Sequence, residues 1–248
     1  MNRGIIYVVF GQGYDKLAAH TVSYSRQFTN LPICILTNTH ERNKKWDKIK
    51  DVSFVEFNLP QDDNRHIKTN MINYTPFDET LCLDCDSVIQ RFGIEKTFDL
   101  LDGYDMVLNL CLAWKSGEQV LRLYKKVMNI TGVELPLRVF NGAFIIWKRN
   151  ERVQDFFALW NEYWEKSGRG REMPCLACAV KKSGVKVKEI NTDEDKIFVA
   201  DNPREGCIVQ HNYNSYQGKD FHNTFGLPHI IENKPFDGNA SDWQMVDF

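Results

Sequence analysis

An α/β fold with a mostly parallel central sheet flanked by helices is predicted from three observations. Short β-rich apolar runs alternate with amphipathic stretches through the first half of the chain, the pattern of strands joined by crossover helices. The composition supports a large core, since 43% of the 248 residues are hydrophobic and 12% aromatic. No linker, repeat or low-complexity tract divides the chain. The simplest organisation is one domain over residues 1–214 with a tail, 215–248, packed on it.

The elements follow in order. Ile5 to Phe10 is an unbroken apolar run, a buried first strand ended by Gly11-Gln12-Gly13. Leu17, Thr21, Tyr24 and Phe28 recur at helical spacing, which predicts a helix over 15–27 before Pro32. Ile33 to Leu36 and Val52 to Phe57 read as strands, and Ile67 to Tyr74 as a short helix before Pro76. Thr80 to Leu83 is a strand that runs into Asp84-Cys85-Asp86. Helices are expected over Gly93 to Leu101 and Glu118 to Met128, with a buried strand between them at Met106 to Leu110.

Val139 to Trp147 reads as a strand interrupted by Asn141-Gly142. Val153, Phe156, Phe157, Trp160 and Trp164 then recur at spacings of three and four, the core stripe of a helix over Glu151 to Lys166. A helix over Pro174 to Lys182 and strands at Val185 to Ile190 and Cys207 to Gln210 complete the regular pattern.

Charge narrows the function classes. Lys and Arg total 31 against 33 Asp and Glu, a formal −2, whereas a dedicated nucleic-acid-binding domain usually carries excess positive charge. No apolar run approaches the roughly 20 residues of a membrane-spanning helix. The first residues show no signal-peptide pattern, so the expected location is cytoplasmic. The seven cysteines are odd in number and several lie in apolar runs, which suits small buried hydrophobes in a reducing compartment better than a disulfide framework.

Asp84 and Asp86 are the sharpest chemical feature. Alternate residues of an extended chain project to one side, and the carboxyl ends of parallel strands are where such sheets deliver ligands. Two adjacent carboxylates repel each other and invite a divalent cation, for which hard oxygen donors suit Mg2+ or Mn2+. Cys82-x-x-Cys85 with Cys175-x-x-Cys178 is a weaker metal pattern. The first pair straddles a strand end and the second lies in an apolar helix pattern. Gly11-Gln-Gly13 lacks the third glycine of a dinucleotide fingerprint.

The segment from His66 to Ile89, a Lys-bearing helix leading into an apolar strand and Asp84-Cys85-Asp86, resembles the D-x-D region of GT-A fold glycosyltransferases of the glycogenin and galactosyltransferase kind. Tyr7-Val-Val-Phe-Gly-Gln-Gly-Tyr14 is similar to their first strand and nucleotide loop, Leu31-Pro-Ile-Cys-Ile-Leu-Thr-Asn38 to their second strand, and Phe140-Asn-Gly-Ala-Phe-Ile-Ile146 to the strand lining the acceptor side. Ile208-Val-Gln-His-Asn212 resembles the late strand whose histidine completes the metal site. Where relatives place Asp-Gln-Pro or Asp-Gln-Asp, the chain reads Glu172-Met-Pro-Cys175.

The resemblance implies a metal-dependent transfer of sugar from a nucleotide-diphosphate sugar, a UDP-sugar first, to a hydroxyl acceptor. Val9, Phe10, Gly11 and Tyr14 are expected at the base and ribose, with Thr37 and Asn38 at the base edge. Lys68 is expected at the diphosphate. Asp84, Asp86 and His211 would hold Mn2+ or Mg2+, with Cys85 between the two acids. Asn141 is expected at the sugar hydroxyls, and Glu172 as the base of an inverting displacement. The acceptor surface is expected near Trp114, Asn141, Glu172 and the tail. A glycan or protein is the default acceptor. The basic stretch Arg169, Arg171, Lys181, Lys182, Lys186 and Lys188 keeps a nucleic acid acceptor as a minor option. The alternative from another class is a non-catalytic domain of the same fold that binds a nucleotide or glycan.

Overall fold

The computed structural model describes residues 1–39, 42–111, 118–134, 138–199 and 206–211. In chain order the strands are β1 (Arg3–Val9), β2 (Ile33–Thr37), β3 (Val52–Glu56), β4 (Glu79–Leu83), β5 (Ser87–Ile89), β6 (Met106–Leu110), β7 (Phe140–Lys148), β8 (Val187–Ile190), β9 (Phe198–Val199) and β10 (Val209–His211). The helices are α1 (Gln12–Ser25), α2 (Asn64–Thr69), α3 (Glu118–Thr131), α4 (Glu151–Lys166), α5 (Met173–Ser183) and α6 (Thr192–Asp195). Trp114 and the expected tail over 215–248 lie outside the described residues.

Seven strands form one sheet in the order β3-β2-β1-β4-β7-β6-β8. All of them run parallel except β7, which is antiparallel to both β4 and β6. The predicted mostly parallel sheet is therefore correct. Its central strands are apolar on both faces because helices cover both, as parallel sheets require. Tyr7 lies opposite Leu83 and Val9 opposite Thr37, so β1, β2 and β4 end side by side and set Gly11, Asn38 and Asp84 along one edge.

One core layer joins α4 and α5 to the sheet through Phe156, Phe157, Trp160, Trp164 and Leu176, with Ile67 of α2. Helix α4 begins where Asn150 accepts a hydrogen bond from Val153 N at 2.9 Å, and its predicted aromatic stripe is buried throughout. The other layer packs Ala18 and Val22 of α1, together with Phe98, Phe144 and Phe198, against the opposite face.

Local departures from the expected elements have identifiable causes. The segment expected as one helix over 67–74 divides into α2 and a 3-10 turn, Met71–Asn73. Asn70 Nδ2 donates to His66 O at 2.8 Å, which takes the carbonyl that the next helical turn would use. Ile94–Leu101 is a 3-10 helix, started at Gly93 with φ 113°. Strand β7 runs unbroken through Asn141-Gly142, because Asn141 Oδ1 accepts from Ala143 N at 2.8 Å while the register against β6 shifts between Leu108 and Asn109. A second sheet, β5-β10-β9, is built from strands of two or three residues.

Buried Cys34, Cys82, Cys175 and Cys178 behave as the expected small hydrophobes. Burial pushes the Cys82 thiol up to about 12 and Cys175 up to about 11, which disfavours the thiolates a zinc site needs. No helix among the described residues is long and apolar enough to cross a membrane.

Candidate active site

Strand β4 ends at Leu83 and delivers Asp84 to the sheet edge, where Asp84 N donates to Ala143 O of β7 at 3.3 Å. A tight turn follows, with Ser87 N donating to Asp84 O at 2.9 Å, and it presents Asp86 beside Asp84. Strand β10 pairs antiparallel with β5 and sets His211 opposite Ser87. His211 Nδ1 then lies 3.0 Å from Asp86 Oδ1 and 3.0 Å from Ser87 Oγ, and its ring stacks on Phe198. One ligand atom from each of Asp84, Asp86 and His211 falls within 4.8 Å of the others.

The pairing sets the charge state. Burial works to raise the Asp86 carboxyl, but His211 outweighs it and holds the acid below its ordinary range. Burial works to lower the His211 imidazole, and Asp86 reverses that and raises it. The two carboxylates and one imidazole fit a divalent cation, because the donors are close together and combine hard oxygens with one nitrogen. Among the described residues this is the one such group of three metal-capable side chains.

A second charged cluster adjoins the first. Lys68, on α2 and largely buried, places Nζ 2.6 Å from Asp84 Oδ1 and 3.5 Å from Glu172 Oε1. Arg65, one helical turn earlier, places Nε 3.2 Å from Glu172 Oε2. Glu172 is anchored by its backbone, whose carbonyl accepts from Trp160 Nε1 at 3.0 Å. Burial would raise its carboxyl, yet Lys68, a backbone hydrogen bond and Arg65 together hold it below the ordinary range. For Lys68 burial opposes the charge, and Asp84 and Glu172 more than restore it.

These groups surround a cavity of about 570 Å³. Of the residues expected at the site, Phe10, Tyr14, Lys68, Asp84, Cys85, Asp86, Glu172 and His211 line it. The other five lie outside its lining. Val9 is fully buried, with Val8 at the wall instead. Thr37 is buried and accepts from Thr39 N through Oγ1. Asn38 accepts from Gly11 N at 2.8 Å and donates to Leu59 O at 2.9 Å, so Asn38 and Gly11 shape the loop beside the cavity. Asn141 spends its Oδ1 on Ala143 N within β7.

Sequence reasoning overlooked Arg65, Asn64 and Met173, which also line the cavity. For Arg65 a signal existed, since Arg65-x-x-Lys68 puts two cations on one face of a short helix.

No protein-family model and no curated protein matches the chain. Solved structures do. An active-site glutamine-to-glutamate mutant of LgtC matches with a TM-score of 0.55 at 14% identity, over 84% of this chain and 86% of that one. The galactosyltransferase LgtC in complex with donor and acceptor sugar analogues matches at 0.51 and 15% identity, over the same shares. Mouse xyloside xylosyltransferase 1 matches at 0.57 and 10%, over 85% of this chain and 97% of that one. The bifunctional glycosyltransferase WbbM matches at 0.59 and 10%, over 99% of this chain and 52% of its own length. The matches agree on the architecture: the chain shares the GT-A fold of these glycosyltransferase structures.

Proposed function

We propose that the protein transfers a sugar from a nucleotide-diphosphate sugar, most simply a UDP-sugar, to a hydroxyl of a glycan or protein. The observation that carries this reading is the convergence of the neighbouring Asp84 and Asp86 with His211, from a distant part of the chain, within 4.8 Å, in a fold shared with glycosyltransferases.

The residues divide the work. Asp84, Asp86 and His211 would hold Mn2+ or Mg2+, which would supply Lewis-acid stabilisation of the departing diphosphate. Lys68 and Arg65 offer positive charge to the phosphates, Lys68 as a point charge and Arg65 as a fork. Val8, Phe10 and Tyr14 offer apolar and aromatic faces to the base and ribose. Glu172 stands next to Gly142 of β7, and once parted from Lys68 and Arg65 it would accept the proton of the acceptor hydroxyl in an inverting displacement.

A nucleic acid acceptor gains no support, because Arg169 of the basic stretch pairs with Asp63 at 2.8 Å and with Glu165 at 3.5 Å. The test is release of nucleoside diphosphate from a panel of nucleotide sugars with and without Mn2+. Metal-dependent release with at least one donor is expected, and its absence with every donor overturns the reading.

A further inference from the structure

Glu172 stands at a helix N-terminus without capping it. It is the N-cap residue of α5, where a carboxylate gains from the helix dipole, yet its side chain makes no hydrogen bond to that helix. It turns instead into the cavity. One carboxylate oxygen reaches Lys68 Nζ at 3.5 Å and the other Arg65 Nε at 3.2 Å. The bare Cα of Gly142 borders the pair: a Cβ there would stand 3.7 Å from Lys68 Nζ and 3.8 Å from Glu172 Oε1. Arg171, immediately before it in the chain, lines the same cavity, and two cations, Arg65 and Lys68, hold the one carboxylate at the cavity wall.

Those cations have the geometry to hold a larger anion. A diphosphate carries more negative charge and more acceptor oxygens than a single carboxylate, and Arg65 with Lys68 offers it a fork and a point charge one helical turn apart. We propose that Glu172 is a resident counter-ion that competes with a diphosphate group for Arg65 and Lys68. The exchange is non-covalent: the phosphate oxygens take the two cations, and the Glu172 carboxylate is released beside Gly142. This inference rests on the donor reading above only in taking a diphosphate as the anion. It adds that donor binding and release of the carboxylate are one event, so affinity for the donor is held down by a residue of the site itself.

The test titrates inorganic pyrophosphate and, separately, uridine diphosphate into the full chain by calorimetry. Glu172→Gln, nearly isosteric and uncharged, should tighten both by about tenfold, the worth of one charge-assisted contact no longer contested. In a chain that also carries Arg65→Gln and Lys68→Gln, the same substitution should change nothing. Glu172→Asp draws the carboxylate back by one methylene and should shift affinity in the same direction, which covers the case in which Glu172→Gln fails to fold.

Unchanged or weaker binding by Glu172→Gln overturns the proposal, since the carboxylate would then only prop the cations in place. Binding of neither anion by any variant overturns it too. Tighter binding in Glu172→Gln, together with no turnover of any nucleotide sugar by the wild-type chain, removes the transferase reading and leaves the counter-ion standing.

Discussion

Lys68 donates to Asp84 at 2.6 Å and thereby ties the helix before the acidic turn to the acid that begins it. One buried ammonium also serves Glu172, so it links the carboxylates on the two sides of the cavity. Removing its charge should therefore act on both. Lys68→Met, which keeps the stem and deletes the ammonium, is expected to lower kcat/KM for the donor by about a hundredfold, the upper worth of a hydrogen bond to a charged group. Steady-state kinetics with the best donor from the panel measure it, and a change below about threefold would remove Lys68 from the donor site.

The Asp-Asp-His cluster makes a prediction that needs no substrate. A ligand present at about a hundred times its Kd stabilises the folded state by about 2.7 kcal/mol. Mn2+ should accordingly raise the melting midpoint of the wild-type chain. Asp86→Ala and His211→Ala should each abolish that rise while melting cooperatively on their own, and Asp86→Ala should also abolish turnover. A rise that survives in both variants would place the metal elsewhere.

Away from the site, Asp105 is a structural acid. It is almost fully buried at the start of β6, and it accepts from Lys186 N at 2.9 Å, from Asn150 Nδ2 at 2.9 Å and from Arg152 Nε at 3.0 Å. Burial works to raise its carboxyl, but these hydrogen bonds and Arg152 win and leave it lowered. A carboxyl that is more acidic folded than unfolded stabilises the fold above the ordinary aspartate range, near about pH 3.9. That contribution declines as the pH falls through this range toward the folded value. Asp105→Asn should be less stable at neutral pH and should lose less stability on acidification. Urea melts at about pH 7 and about pH 3.5 check it, and parallel losses in both chains would contradict it.

Gly4 tests the packing of β1. A Cβ added there would fall 2.4 Å from the Phe77 ring, far inside contact distance. Gly4→Ala should cost about 1–3 kcal/mol, the usual penalty for overpacking. Phe77→Leu in the same chain should recover part of the loss, because neighbouring substitutions are not additive. Thermal melts of the two single variants and the double variant decide it.

Much of the fold was readable because buried strands announce themselves. Ile5 to Phe10 and Thr80 to Leu83 are apolar on both faces, and only a covered sheet tolerates that. The same property hid the direction of β7, since a strand buried on both sides carries no mark of parallel or antiparallel pairing. β5 and β9 are too short to produce a pattern. At the site, the two acids were visible because they are neighbours in sequence. His211 was legible only by resemblance, and Arg65 lies just before the helix expected over Ile67 to Tyr74, so it was passed over. Thr37 and Asn38 were expected to face a ligand, but their polar groups are taken up in holding the backbone around them, a choice that composition alone does not reveal.

The pairing of β10 with β5 bears on how the protein is made. The imidazole of the candidate metal site arrives on the last described strand, and it is placed by a three-residue ladder to the turn that carries the acids. On the ribosome, the acids and Lys68 emerge long before that strand. Until that strand emerges, the growing chain lacks the third of the three metal-capable side chains, and its pairing with β5 supplies it. A metal-dependent refolding rate, faster for chains that retain His211, would be the signature of that coupling.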